Sequence, residues 1–178
     1  MKILFCIVFG MISFLPAYAD EFTNHQQHMS VIGNDSRQLL NYPPDVRVYA
    51  LANMRKHLQA LAEIMDAFAN AKYDLAAGIA DSRLGMDSSG AAGCRVDSMK
   101  MDMKTMPMSE TSHLDHQMSL LMPEGMRELG QNMHRSANEF AVKAREADKD
   151  SRNVAAAAIA LARIAQQCVA CHESYRMQ

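Results

Sequence analysis

Residues 154–176 read VAAAAIALARIAQQCVACHESYR. The stretch holds no Gly or Pro and is dominated by Ala, the strongest intrinsic helix former, with Val154, Ile159, Leu161 and Ile164 as its apolar contacts. Asp150 or Ser151 just upstream suits an N-cap, so the chain predicts one helix running to the C-terminal end. Within it, Cys168-Val169-Ala170-Cys171-His172 spells C-x-x-C-H, the pattern of covalent haem attachment. Positions i and i+3 share a helix face, so both thiols can reach the vinyl groups on one porphyrin edge. His172 then passes to the iron.

Two rival chemistries use similar spacing. A thioredoxin-like dithiol sits where a strand turns into the start of a helix, whereas this pair lies near a helix end. A structural zinc site takes four ligands, and no second cysteine pair exists to supply them. One haem c on Cys168 and Cys171, with His172 as proximal iron ligand, is the expected cofactor.

Working outward, apolar residues at steps of three and four mark further helices. Pro44 and Asp45 suit a first turn, after which Leu51, Met54, Leu58, Leu61 and Met65 draw one stripe. A shorter segment, Asp74 to Leu84, carries Leu75 and Ile79 on one face and stops at Gly85. Pro123 and Glu124 open another helix, through Met126, Leu129, Met133, Ala137, Phe140 and Ala144. No strand is predicted. The expected fold is all-α, an antiparallel four-helix bundle over residues 43–178 with a long connection at about 86–121.

The run Cys168-Val169-Ala170-Cys171-His172-Glu173-Ser174-Tyr175-Arg176 resembles the C-terminal signature of the class II cytochromes c, the cytochrome c′ family. The resemblance implies a four-helix haem protein in which Tyr175 packs at the haem and Arg176 lies near the proximal imidazole or a propionate. It also implies that the first helix meets the opposite haem face, with a methionine ligand or with a bulky residue that leaves the iron five-coordinate. Met54, on the apolar stripe, is then the candidate sixth ligand, and a thioether is a normal partner to His in electron transfer. His57, one turn later, is the alternative, with His134 a remoter one. A closed coordination shell favours electron transfer, an open one favours binding nitric oxide or carbon monoxide. The resemblance further implies a homodimer through the first two helices.

Between Met99 and Met126 stand eight methionines. Met122 and Met126 are expected to cover the bundle edge. Met99, Met101, Met103, Met106, Met108 and Met118, with His113 and His116, are soft donors that suit cuprous copper, so copper handling is a further function to weigh. Cys94 reads as a free or intermolecular thiol.

The N-terminus carries Lys2, an apolar run from Ile3 to Leu15, then Ala17-Tyr18-Ala19, the layout of a cleaved secretory signal over residues 1–19 that would remove Cys6. The run is shorter than the roughly 20 residues a membrane span needs. Residues 20–42 read as a polar tail with His25, His28 and Met29. An apolar fraction of 49% and a net charge of -2 suit a soluble periplasmic domain and exclude a basic nucleic-acid footprint. Redox partner proteins or a diatomic gas are the expected partners, and no acid–base constellation points to an enzyme.

Overall fold

Pro44 has the backbone angle a first helical turn needs and lacks the N–H such a turn cannot use, and the first helix starts there in the computed structural model. The structure describes residues 35–95 and 109–177. The signal sequence at 1–19, the tail as far as residue 34, and Met99, Met101, Met103, Met106 and Met108 lie outside the described residues. Five α-helices occur among the described residues: α1 Pro44–Ala69, α2 Tyr73–Ile79, α3 Glu110–Leu121, α4 Glu124–Lys149 and α5 Val154–Ser174. The fold is all-α apart from one small sheet. All these elements belong to the compact unit Arg37–Gln178.

In α1 the stripe faces a different way from the one the sequence predicts. Val46, Ala50, Asn53, Ala60, Ile64 and Ala67 are the buried positions, while Leu58 is 68% and Met65 54% exposed. Both series step by three and four. The inner one wins because α1 packs on α2 through small side chains, Ala60 and Ala67 sharing a cluster with Ala76, Ala77 and Ala80, and close backbone approach needs small residues there.

α2 continues as one π-helical turn, Ala80–Leu84. Leu75, expected on its inner face, is exposed, and Ala76, Ala77, Ala80 and Leu84 are buried instead. At Gly85 a Cβ would fall 2.5 Å from the Asp81 carbonyl oxygen and 2.6 Å from Asn138 Nδ2. Glycine therefore lets the chain pass tightly over α4. Asn138 secures the crossing, accepting from the Met86 N–H at 2.9 Å and donating to Asp81 Oδ1 at 2.9 Å.

The expected long connection at 86–121 contains two elements that the sequence reading left out. One is a 3₁₀ turn, Ser89–Cys94, and the other is α3. Ser109 caps α3 by accepting from the Ser112 N–H at 3.2 Å, Glu110 lies in its first turn, and Met118 is buried one turn before Met122. α4 buries Met126, Met133, Ala137, Phe140 and Ala144 as expected. Asp150 then caps the turn Ser151–Asn153 by accepting from the Arg152 N–H at 3.0 Å, and α5 follows.

No strand was predicted, yet β1 Gln38–Leu40 pairs in parallel with β2 Tyr175–Met177, with Leu39 opposite Arg176. Three residues are too few for a periodicity to show. The helices pack in the order α1 on α2, α2 on α4 and α4 on α5. Their side chains form two cores. One is built on Ile64, Leu84, Phe140, Ile164 and many alanines. The other holds Leu40, Val46, Ala50, Cys94, Met118, Met122 and Met126.

Candidate haem site

The last turn of α5 leaves carbonyls that the helix itself cannot satisfy, and three carbonyls at this end have donors from outside the regular helix ladder. Ser174 Oγ donates to the Ala170 carbonyl at 2.8 Å, the Tyr175 N–H to that of Cys171, and Arg37 Nη1 to that of His172 at 3.2 Å. The guanidinium of Arg37 also places positive charge at the negative end of the helix dipole. The C-x-x-C-H turn is thus held at both its backbone and its flank, the flank being the β1–β2 ladder.

Cys168 and Cys171 lie one turn apart, half-buried, and neither is in a disulfide. Cys168 packs against the alanine-rich core and Cys171 against the methionine-rich one. Burial pushes both thiols up, and at Cys171 the neighbouring Cys168 adds to it. Both are therefore neutral thiols at pH 7, the less reactive form.

Beside Cys171 opens a cavity of about 200 Å³ whose walls include Arg37, Leu40, Met54, Met126, Cys171, His172, Tyr175 and Arg176. Four of the residues predicted for the haem environment, His172, Tyr175, Arg176 and Met54, therefore meet at one place together with one of the two thiols. Arg37, Leu40 and Met126 join them without having been predicted. Tyr175 is positioned by the first turn of α4, where a Cβ on Gly125 would fall 2.8 Å from its hydroxyl oxygen. Tyr42 lies against the same cluster, its hydroxyl on Met126 Sδ at 3.7 Å. Burial raises its phenol to about 12, with Cys94 and Cys171 adding to the effect.

The donor set fits a covalently held haem: two unbonded thiols at the attachment spacing, an adjacent histidine, and a thioether in the wall of the same cavity. The cavity is below the roughly 300–1,000 Å³ of drug-sized ligand pockets, so a macrocycle seated here displaces wall side chains. Met54 and Met126 are unbranched and adaptable, which suits them to give way.

His57 does not reach this cavity. It stacks edge-on against His134, ring centroids 5.4 Å apart at 85°, and its Nε2 lies 2.4 Å from where a Cβ on Gly90 would stand. His134 is fully buried with Nδ1 2.7 Å from the Leu84 carbonyl oxygen. Both Nε2 atoms are buried without a hydrogen-bond partner. Burial lowers His57 to about 4, helped by His134 and Lys56, and lowers His134 as well.

Of the donors proposed for copper, His116 and Met118 are buried and His113 half-buried on α3. Among the described residues, no three or more His, Cys, Asp or Glu side chains converge on one point. Cys94 is a buried, free thiol, raised to about 11 by burial and then by Cys171. Comparison with protein-family models, curated proteins and solved structures finds no match for the chain.

Proposed function

We propose that this chain is a periplasmic c-type cytochrome of class II type that carries one haem on Cys168 and Cys171 and passes electrons between redox proteins. The observation that carries the reading is the meeting of Cys171, His172 and Met54 at one cavity, one turn from Cys168. In this reading α1, α2, α4 and α5 form an antiparallel four-helix bundle, and the signal at 1–19 directs export. The haem, when bound, supplies a one-electron couple. The protein's own contribution is to hold the iron ligands still.

His172 presents its imidazole from a helix end that Arg37, Ser174 and Tyr175 cap through the carbonyls of His172, Ala170 and Cys171. Met54 offers a soft thioether from α1, and the turning of His57 towards His134, away from the cavity, supports Met54 over it as the sixth ligand. Leu40, Met126 and Tyr175 supply apolar wall to the site. An imidazole and a thioether together would leave no open position on the iron, which favours electron transfer over chemistry on a substrate.

The test is expression with export and the cytochrome c maturation machinery. Haem that stays on the chain through denaturing electrophoresis, and is lost from it in the double variant Cys168→Ala/Cys171→Ala, is the expected result. Met54→Ala is expected to remove the far-red methionine–iron band of the ferric protein, and His57→Gln to leave it in place. A chain that emerges without covalent haem under these conditions refutes the reading. A ferric spectrum unchanged by Met54→Ala turns the site into an open one, suited to nitric oxide or carbon monoxide.

A further inference from the structure

Away from the haem donors, α1 and α4 bring together two imidazoles whose hydrogen bonding is incomplete. His57 on α1 and His134 on α4 stand edge to face. Buried polar groups ordinarily find partners, and an imidazole has two nitrogens to satisfy. The Leu84 carbonyl, which can only accept, takes the proton of His134 Nδ1 at 2.7 Å. That bond leaves the lone pair on Nε2, which is buried and unpartnered in a fully buried residue. His57 Nε2 is likewise buried and unpartnered. A backbone carbonyl behind one ring nitrogen and a free lone pair on the other is the arrangement of a histidine that ligates a metal.

The support behind the pair is firm. Leu84 ends the π-helical turn Ala80–Leu84, an uncommon element that is frequent at functional sites. Asn138 ties that turn to α4, donating to Asp81 Oδ1 and accepting from the Met86 N–H, both at 2.9 Å. On the other side the tip of the His57 ring lies against Gly90, where a Cβ would fall 2.4 Å from Nε2. Glycine leaves that ring room to turn. Two imidazoles that share one ion through bonds of about 2.0–2.1 Å, set about 110–120° apart, hold their ring centres about 5–5.6 Å apart. The observed separation is 5.4 Å.

We propose that His57 and His134 hold one cuprous ion between α1 and α4, at a site separate from the haem. The inference does not rest on the haem reading. The donors choose the metal. Burial keeps both imidazoles neutral at pH 7, the form that ligates. Among the described residues no third His, Cys, Asp or Glu converges with them, and the side chains whose charge bears on the pair, Lys56 and Arg95, are cations. Structural zinc takes four ligands, and a divalent ion buried without an anionic donor is costly. Cuprous copper is monovalent, accepts imidazole, and is satisfied by two or three neutral donors.

Anaerobic titration of the purified full chain with a cuprous acetonitrile complex, against the chromogenic chelator bicinchoninate, tests the proposal. X-ray absorption at the copper edge identifies the donors. An ion with imidazole nitrogens in its first shell is expected. His57→Gln and His134→Gln are each expected to remove that signal and to weaken the site by more than the roughly 10–100-fold that losing an outer-shell partner costs. Gly90→Ala keeps both imidazoles and is expected to weaken the site about tenfold by pressing on the His57 ring. Circular dichroism verifies that each variant keeps its helices, and the absorption spectrum of the unaltered chain decides even where a variant fails to fold. A chain that takes no cuprous ion from the chelator overturns the proposal. So does copper with only sulfur in its first shell, or copper held equally in both histidine variants, since these place the ion on methionines or thiols. Zinc held by this pair more tightly than cuprous copper overturns it as well.

Discussion

The two cores of this protein are built on opposite principles. Around Phe140 the helices approach through alanines, and Ile64, Leu84 and Ile164 fill the remaining space with stiff or branched side chains. Around Cys94 three methionines, Met118, Met122 and Met126, pack beside Leu40, Val46 and Ala50, so polarizable and adaptable groups make up much of this core, and the cavity lies against it. Close-packed interiors resist any change of volume, whereas methionine adjusts to what it meets. The difference assigns rigidity to one end and accommodation to the other, and it places the candidate site where accommodation is available.

The most severe way to break this contrast is to empty the rigid core. Phe140→Ala removes a fully buried ring that also meets Phe68, centroids 5.9 Å apart, and is expected to cost about 3–5 kcal/mol. Equilibrium urea unfolding measures it, and a loss below about 1 kcal/mol would show that the alanine-lined core relaxes freely.

The second effect is acid lability at the pair His57 and His134. Both are held below their ordinary value by burial, so the folded state resists protons that the unfolded chain accepts. Stability is full above the unfolded value of 6.5 and is lost as pH falls from there towards about 4. For His57 the shift corresponds to about 3 kcal/mol. Thermal melts from pH 7 to pH 4 measure it, and His57→Gln is expected to flatten the curve. A parent curve already flat over that range contradicts the burial argument.

The smallest effect sharpens the comparison directly. Ala77→Leu adds volume where α2 crosses the alanine core and is expected to cost about 1–3 kcal/mol, while Met126→Leu at the adaptable end costs less than about 1.5 kcal/mol. Equal losses in the two variants would erase the distinction between the cores.

Much of this was legible in the chain. Pro44, Pro123 and Asp150 mark helix starts by rules that act within one turn, and the inner face of α4 follows its apolar residues. The spacing of Cys168, Cys171 and His172 fixes their neighbourhood through helix geometry alone. The register of α1 was not legible, because Leu58 and Met65 draw attention by size while Ala60 and Ala67 win the tight contact by lacking it. α3 was hidden among methionines, although Ser109 before Glu110 is a start signal. Arg37 and Leu40 could not be found at all: they lie in a stretch without period, and only pairing with residues far along the chain brings them to the cavity.

That long-range pairing bears on the order of events during folding. The ladder between Leu39 and Arg176 closes a loop that contains every helix among the described residues, so its entropic cost is met only after the helices have docked. The three-residue ladder then forms late, on a frame already in place. Until it does, Arg37 cannot engage the His172 carbonyl. Late closure thus completes the cap of α5 only after the helices that bury Cys168 and Cys171 are in place.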